Sequence, residues 1–200
     1  MGQSVPLDPQ TLLAAYAQGL FPMDDRHGNI LWYTADPRGI IPLEGFHIPR
    51  TLRALVKKSS HEGGFEVRIN HDFEATMRGC REKRAEGTWI SEPIVAAYVR
   101  LHQMGFAHSV ESWKDGKLAG GLYGVSLGGA FFGESMFHRV RDASKVALVH
   151  LVARLRQQGY DLLDTQATTA HLGRFGCIEI PADEYLKKLK SALRKNCSFT

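Results

Sequence analysis

Residues 118–166 constrain the fold of this chain more than any other stretch. Two apolar segments rich in glycine, 118–125 and 130–137, flank Leu127-Gly128-Gly129, and this arrangement predicts a β-hairpin. Glycine weakens a strand because it loses much backbone entropy on folding and has no side chain to pack. The repeated glycines therefore indicate that a ligand or a second backbone segment approaches the hairpin closely.

A helix and a further strand are expected after the hairpin. Asp142 is a suitable N-cap, apolar residues recur with helical spacing after it, and Gly159 stands just past the expected end. Residues 160–164 are then apolar enough for a strand. A strand that returns to the same sheet after a helix needs a crossover, so the order strand, strand, helix, strand predicts a parallel pair. The expected class is a mixed α/β (α+β) fold.

Three polar side chains interrupt this apolar pattern. Glu134 lies between Phe132 and Met136, and since residues two apart on a strand share a face, we expect all three on one face. A buried carboxylate is costly unless other groups bond it. Asp164 and Gln166 end the last strand, where α/β proteins place chemistry, and they share a face if the chain stays extended. A bulged hairpin and a capped strand end would explain these residues without a catalytic role.

The order of elements is similar to that of GCN5-related acetyltransferases, which suggests acyl transfer to an amine. Those enzymes hold the pyrophosphate of coenzyme A with a glycine-containing segment that opens the helix. Residues 139–145 stand at that place here, without glycine, and Asp142 stands where an anion would bind. The likeness implies a C-terminal domain similar to a GCN5-related acetyltransferase, with the scaffold present and the cofactor cradle absent.

A closer resemblance covers the chain from about Tyr16 to Leu186. Blocks of sequence resemble those of leucyl/phenylalanyl-tRNA-protein transferases and occur in the same order, which makes the likeness specific. These blocks are residues 15–23, 32–38, 47–50, 87–91, 97–102, 121–125, 132–137, 143–145 and 179–181.

This resemblance implies an activity and a set of partners. Enzymes of the family move leucine or phenylalanine from aminoacyl-tRNA to the N-terminal Arg or Lys of acceptor proteins, with methionine as a further candidate donor. The product is marked for degradation by the N-degron pathway. The expected partners are therefore aminoacyl-tRNA and the acceptor protein, with no cofactor, no membrane and a monomeric enzyme.

The same resemblance implies roles for individual residues. Asp164 would accept a proton or orient a neighbour, and Gln166 would hold the amine or the ester carbonyl. The amino acid and the terminal adenosine of the donor would be bound by Trp32, Tyr33, Trp89, Tyr98, Leu122, Glu134 and Leu151. Departures from many relatives at Tyr33, Thr165 and residues 174–177 bear on amino-acid preference and acceptor recognition.

Three groups of basic residues are candidates to bind the phosphates of tRNA, in line with a net charge of +4. They are Arg50, Arg53, Lys57 and Lys58; Arg78, Arg81, Lys83 and Arg84; and Lys187, Lys188, Lys190, Arg194 and Lys195. Each can also be the solvated face of a helix. We assign phosphate binding to the second group because it leads into Gly87-Thr88-Trp89, whose indole could stack on a base.

Composition bounds the organisation of the chain. A chain of 200 residues with 44% apolar residues can hold a small N-terminal domain, placed at 1–62, and an acetyltransferase-like catalytic domain at 63–200. No apolar run approaches the ~20 residues that cross a bilayer, and no signal peptide is apparent. Three widely separated cysteines favour the cytoplasm, and the nine histidines lack the spacing of metal ligands.

Two other functions stay open at this stage. One is a coenzyme A dependent N-acetyltransferase that binds its cofactor in an unusual way. The other is a noncatalytic tRNA-binding module that keeps the fold. The first predicts binding of acetyl-coenzyme A, and the second predicts tRNA binding without transfer to a peptide.

Overall fold

A computed structural model of the protein describes residues 7–25, 29–82 and 88–200. Within these ranges the chain forms seven α-helices, nine strands and a 3₁₀ turn at Ser60–Glu62. The helices are α1 (Pro9–Tyr16), α2 (Arg50–Lys57), α3 (Phe73–Arg81), α4 (Glu92–Gln103), α5 (Ala143–Gln157), α6 (Ala170–Gly173) and α7 (Ala182–Ala192). The strands are β1 (Phe21–Asp24), β2 (Ile30–Tyr33), β3 (Arg38–Ile41), β4 (Glu66–Ile69), β5 (Ala107–Lys114), β6 (Lys117–Leu127), β7 (Ala130–His138), β8 (Leu162–Gln166) and β9 (Ile178–Ile180).

Seven of these strands form one sheet in the order β4-β5-β6-β7-β8-β3-β9, while β1 and β2 form a separate hairpin. Neighbouring strands of the large sheet are antiparallel except β7 and β8, which are parallel. Helix α5 makes the crossover between them, as a parallel pair requires. The predicted order of strand, strand, helix and strand is therefore confirmed, and so is the mixed α/β class.

Helices cover both faces of the large sheet. Neighbouring residues on its central strands, such as Phe131 and Phe132, belong to the apolar cores of opposite faces. One core includes side chains from α1, α3, α4 and α7, and the other includes side chains from α2 and α5. Because both faces are buried, the central strands are apolar almost throughout rather than alternating.

A β-bulge in β7 changes which side chains share a face. Gly133 is opposite Gly124 and Ser135 is opposite Tyr123, so Glu134 between them has no opposite residue on β6. The extra residue reverses the alternation, and Phe132 and Met136 pack on opposite faces of the sheet. The expectation that Phe132, Glu134 and Met136 share a face was wrong, because a bulge leaves no plain signal in the sequence.

The glycine at Gly124 lies opposite this bulge. A Cβ atom at this position would collide with the carbonyl oxygen of Phe132 and the ring of Phe131. Glycine is needed here because the neighbouring strand of the same chain comes close. Of the two explanations for the glycine-rich hairpin, ligand or backbone, the backbone accounts for this position.

Asp142 precedes helix α5 at the predicted N-cap position, but it does not cap the helix with its side chain. The backbone of Asp142 is left-handed with φ of 68°, and its carboxylate does not cap the helix. Instead Oδ1 accepts a hydrogen bond from Nζ of Lys145 at 2.5 Å. Gly159, with φ of 76°, follows the helix as expected.

Strand β3 carries residues of the predicted N-terminal domain into the large sheet. It lies between β8 and β9, and Gly39 is opposite Gln166 on one side and Glu179 on the other. The division into 1–62 and 63–200 stays a prediction about folding units, while the sheet draws strands from both ranges. None of the helices in the described ranges has both the length and the apolar composition to cross a bilayer.

Candidate active site

A cleft opens where the parallel strands β7 and β8 part. Their pairing stops at Phe132 and Asp164, while β3 pairs with the other edge of β8 as far as Gln166. The space between them has a volume of about 320 Å³. Its lining is Leu122, Tyr123, Gly133, Glu134, Ser135, Met136, Leu148, Leu151, Leu163, Thr165, Gln166, Ala167, Thr169, His171 and Leu172.

Part of the cleft is an apolar slot. The slot-forming side chains are leucines from four elements together with one methionine, namely Leu122, Met136, Leu148, Leu151, Leu163 and Leu172. The structure thus brings together the predicted residues Leu122 and Leu151. Phe132, which was expected to share a face with Glu134 and Met136, lies on the face of the sheet opposite the slot.

Glu134 lies at the edge of this slot within a set of hydrogen bonds. The hydroxyl of Tyr16 donates to Oε1 at 2.7 Å, and the side-chain amide of Gln166 donates to the same oxygen at 3.1 Å. The hydroxyl of Tyr98 lies 3.4 Å from Oε2 and also contacts the Tyr16 hydroxyl. Burial raises the pKa of both tyrosines well above the usual value, so both act as protonated donors.

The pKa of Glu134 is far from that of an ordinary carboxylate. Burial, reinforced by the negative charge of Asp164, raises it to about 8. The hydrogen bond from Tyr16 and the charge of Arg38 act in the opposite direction without cancelling the effect of burial. A carboxyl group of this kind can both release and take up a proton near neutral pH.

Asp164 is fully buried and forms an ion pair with Arg38, which is fully buried as well. Nε and Nη2 of Arg38 donate to Oδ1 and Oδ2 at 2.9 and 2.6 Å. The hydroxyl of Tyr185 donates to Oδ2 at 2.7 Å, and the backbone N–H of Gln166 donates to Oδ1 at 2.8 Å. Four donors occupy the carboxylate, so no lone pair remains to accept a proton from a substrate. Of the two predicted roles, the geometry supports orientation of a neighbour.

The neighbour that Asp164 orients is Gln166. Its backbone has φ of 64°, in the left-handed region that non-glycine residues seldom adopt, and the hydrogen bond to Asp164 holds it there. The chain therefore does not stay extended, and the two side chains diverge. Asp164 points to Arg38 and Tyr185, whereas Gln166 points across the cleft to Glu134.

The predicted adenosine-binding aromatics fall into two places. Tyr98 is fully buried in α4 with its ring edge-on to Tyr123, so no face of the ring is open to a base. Trp32, Tyr33 and Trp89 are partly buried at the rim of the same core. The carbonyl of Trp89 accepts a hydrogen bond from the backbone of β1, which joins it to the β1–β2 hairpin.

The predicted phosphate-binding group is largely engaged with acidic side chains. Arg78 forms ion pairs with Glu74 and Glu92, and Arg81 also pairs with Glu92. Lys83 and Arg84 lie outside the described residues. Two carboxylates thus already offset the charge of the described half of this group.

Sequence reasoning missed three residues of the site: Tyr16, Arg38 and Tyr185. Each bonds a carboxylate that is distant in the sequence, so no local pattern indicates the contact. Tyr16 and Arg38 do lie in blocks that resemble the transferase family, and that was the available signal. Among the described residues, no three His, Cys, Asp or Glu side chains are placed to hold a metal ion.

The solved structures that match this chain are only distantly similar to it. L-PGS from Bacillus licheniformis matches with a TM-score of 0.46 at 14% identity, over 92% of this chain and 62% of that one. This chain therefore spans less than two thirds of that protein. An aminoglycoside N-acetyltransferase in complex with CoA matches with a TM-score of 0.38 at 17% identity, over 66% of this chain and 90% of that one.

Sequence comparison is far more specific. Residues 40–190 match the family described as leucyl/phenylalanyl-tRNA protein transferase, and residues 6–36 match its N-terminal domain. A leucyl/phenylalanyl-tRNA--protein transferase from Gloeobacter violaceus is 50% identical over 196 residues, covering 98% of both chains. One from Rubrobacter xylanophilus is 50% identical over 194 residues, covering 96% of this chain and 98% of the relative. The chain belongs to the leucyl/phenylalanyl-tRNA protein transferase family.

Proposed function

We propose that this protein transfers leucine or phenylalanine from aminoacyl-tRNA to the α-amino group of proteins that begin with Arg or Lys. Membership of the family gives the reaction class. The observation that carries the proposal for this chain is a half-buried carboxyl, Glu134, with a pKa of about 8 at the edge of an apolar slot. We further propose that the enzyme acts as a monomer in the cytoplasm and that the added residue marks the acceptor protein for degradation.

The slot suits the side chain of leucine or phenylalanine. Its leucines and methionine offer apolar contact, which favours transfer of such a side chain from water by about 1.5 to 3 kcal/mol. Burial, together with nearby Lys145, Arg174 and His138, lowers the pKa of His171, so this lining residue is neutral at neutral pH. A polar or charged amino acid would gain no partner in the apolar part of the slot, which is why we assign an apolar donor.

The adenosine of the donor is assigned to the rim formed by Trp32, Tyr33 and Trp89. Aromatic rings that are only partly buried can stack on an adenine base. Tyr98 contributes through its hydroxyl to Glu134 rather than by stacking.

Glu134 is assigned to the proton of the attacking amine. An N-terminal α-amino group has a pKa of about 7.7 to 8.0, close to the pKa of about 8 for Glu134. A proton can therefore move from the ammonium group to the carboxylate at little cost in free energy. The neutral nitrogen then attacks the ester carbonyl carbon and forms the C–N bond.

The second half of the step returns the proton. As the C–O bond to the ribose breaks, protonated Glu134 gives its proton to the ribose oxygen, and the amide nitrogen loses its extra proton to the carboxylate. The products are a peptide bond and a tRNA with a free terminal hydroxyl. Glu134 is left protonated, and it releases this surplus proton to water, which restores the carboxylate for the next turnover. The side-chain amide of Gln166, held at 3.1 Å from Glu134, is positioned to bond the amine or the carbonyl.

For tRNA phosphates the cations of α2 are better candidates than Arg78 and Arg81, the two described members of the predicted group. Arg50, Arg53 and Lys57 are exposed, and none of them forms an ion pair with a described residue. In the third group, lysines pair with Asp183, Glu184 and Asp161. Phosphate binding releases counterions from the nucleic acid, and a cation without a protein partner loses least on making that contact.

A single transfer assay tests the proposal. The purified protein, leucine-charged tRNA and a peptide beginning with Arg are expected to give a peptide extended by leucine. Heat release on titration with acetyl-coenzyme A would favour the N-acetyltransferase alternative. Binding of charged tRNA with no extended peptide would leave the noncatalytic module.

A further inference from the structure

Strands β7 and β8 form the two sides of the cleft, and the edge of each strand faces the other across it. Four consecutive residues of β7, from Gly133 to Met136, line the space. Successive side chains of a strand point to opposite faces, so a wall made by one face would use every second residue. Even with the bulge at Glu134, a run of four requires that the edge of β7 forms the wall. On the other side Thr165, Gln166 and Ala167 are also consecutive.

Strand edges present backbone N–H and C=O groups, which bind another extended backbone. The run from Gly133 to Met136 has a length of about 10 Å at roughly 3.3 Å per residue, enough for three residues of an extended peptide. Glu134, which the proposed function assigns to the attacking amine, lies near the inner end of this run, next to Gly133. A peptide whose N-terminus sits there would extend outward along β7.

We propose that the first residues of the acceptor protein add to β7 as a short parallel strand within this cleft. The inference rests on the proposed function, because it takes the position of the attacking amine from it. Of the two substrates, the acceptor is the one with backbone amides in series, since an aminoacyl ester contains no amide N–H. The charges are also complementary, because the cationic N-terminus of the acceptor would lie against the carboxyl group of Glu134 near the inner end of the cleft.

This mode of binding would recognise the backbone of the acceptor and not the side chains that follow its first residue. Main-chain hydrogen bonds hold any extended sequence, so the residues after the first would be chosen only weakly. In a parallel ladder every second residue of the added strand directs both its N–H and its C=O to the same neighbour. The acceptor is thus expected to depend on alternate backbone amides and to require an unfolded N-terminal segment.

A scan with ester bonds tests the proposal on the intact enzyme. In a peptide of seven residues that begins with Arg, one backbone amide at a time is replaced by an ester, which removes the N–H without added bulk. Loss of one hydrogen bond is worth about 0.5 to 1.5 kcal/mol, so kcat/KM should fall roughly two- to tenfold at alternate positions among residues 2–4. The ester at residue 6 should have no effect.

The outcomes separate this inference from the proposed function. An unmodified peptide that is not extended at all would overturn the proposed function. If the unmodified peptide is extended normally but kcat/KM is unchanged by every ester, or falls equally at every position, only the strand addition is overturned. The cleft would then be assigned to the terminal nucleotides of tRNA.

A variant of the enzyme gives an independent readout. A methyl group at Gly133 would meet only the carbonyl oxygen of Asp164 at 3.4 Å, an ordinary contact, so Gly133→Ala is expected to fold. The added methyl narrows the gap between the strands. The KM for the peptide should rise more than the Kd for an aminoacyl-adenosine mimic, and an equal change in both would contradict the proposal.

Discussion

The side-chain amide of Gln166 donates to Oε1 of Glu134 at 3.1 Å, across the gap where two parallel strands part. Two features make this contact possible. The bulge in β7 brings Glu134 to the gap, and the left-handed backbone of Gln166 turns its side chain toward it. The hydrogen bond thus links Glu134, to which we assign proton transfer, with Gln166, to which we assign contact with the amine or the ester carbonyl.

The stability of the protein should depend on pH through Glu134. Burial raises the pKa of Glu134 from 4.5 to about 8, so the folded state keeps a proton that the unfolded state has released. The stabilisation is therefore complete below about pH 4.5 and is lost as the pH rises to about 8. Glu134→Gln cannot titrate and should gain in melting temperature relative to the wild type across this window. A difference in melting temperature that is constant with pH would show that the carboxyl titrates normally.

The ion pair between Asp164 and Arg38 should matter chiefly for folding. Asp164→Asn leaves the guanidinium of Arg38 buried without a counter-charge, which costs about 3 to 5 kcal/mol in breaking such a pair. The double variant Asp164→Leu with Arg38→Met removes both charges and should recover much of the free energy of unfolding measured in urea. It should still transfer poorly, because Gln166 loses the hydrogen bond that orients it. A double variant as unstable as Asp164→Asn would contradict this account of the pair.

Two substitutions of Gln166 separate its side chain from its backbone. Gln166→Ala and Gln166→Gly both remove the amide and should lower kcat by about 10²- to 10³-fold, the range for loss of one positioned donor. The glycine variant should unfold at a higher urea concentration than the alanine variant, because glycine adopts φ of 64° without steric cost. If the alanine variant transferred at the normal rate, Gln166 would not be at the reaction centre.

The two basic groups make opposite predictions about salt. Replacing Arg50, Arg53 and Lys57 with Ala should flatten the dependence of tRNA binding on salt by about 0.7 to 0.9 in log-log slope for each lost phosphate contact. Replacing Arg78 and Arg81 with Ala should change the slope little, because both already pair with glutamates. An aminoacyl-adenosine mimic, which lacks the phosphates, should bind both variants like the wild type. If replacing Arg78 and Arg81 flattened the salt dependence of tRNA binding more than replacing Arg50, Arg53 and Lys57 does, phosphate binding would belong to the group that contains Arg78 and Arg81.

Sequence patterns predicted the local elements and the strand ends that converge on the site. The hairpin, α5 and β8 follow from apolar periodicity and from the glycines that bound them, which act within a few residues. The partners of the two carboxylates could not be predicted in this way. Arg38 and Tyr16 come from elements more than a hundred residues distant in the chain from Asp164 and Glu134, and only the folded sheet brings them together.

The bulge shows a second limit of sequence patterns. One extra residue in β7 reverses the alternation, so the prediction that Phe132 and Met136 share a face was wrong. The alternation is a property of regular strands, and the sequence around Glu134 carries no mark that the strand is irregular there.

The most direct test of the account is the pH dependence of transfer by the wild type and by Glu134→Gln, with exposed Glu44→Gln as the control. Transfer needs one proton shared between Glu134 and the amine, so the wild-type kcat/KM should fall on both sides of about pH 8. Glu134→Gln should lower kcat/KM by about 10²- to 10⁴-fold, and its profile should rise with pH and then stay level, as the amine alone titrates. Glu44→Gln should match the wild type. A Glu134→Gln variant with near-normal kcat/KM, or with the same two-sided profile, would contradict the assignment of the proton to Glu134.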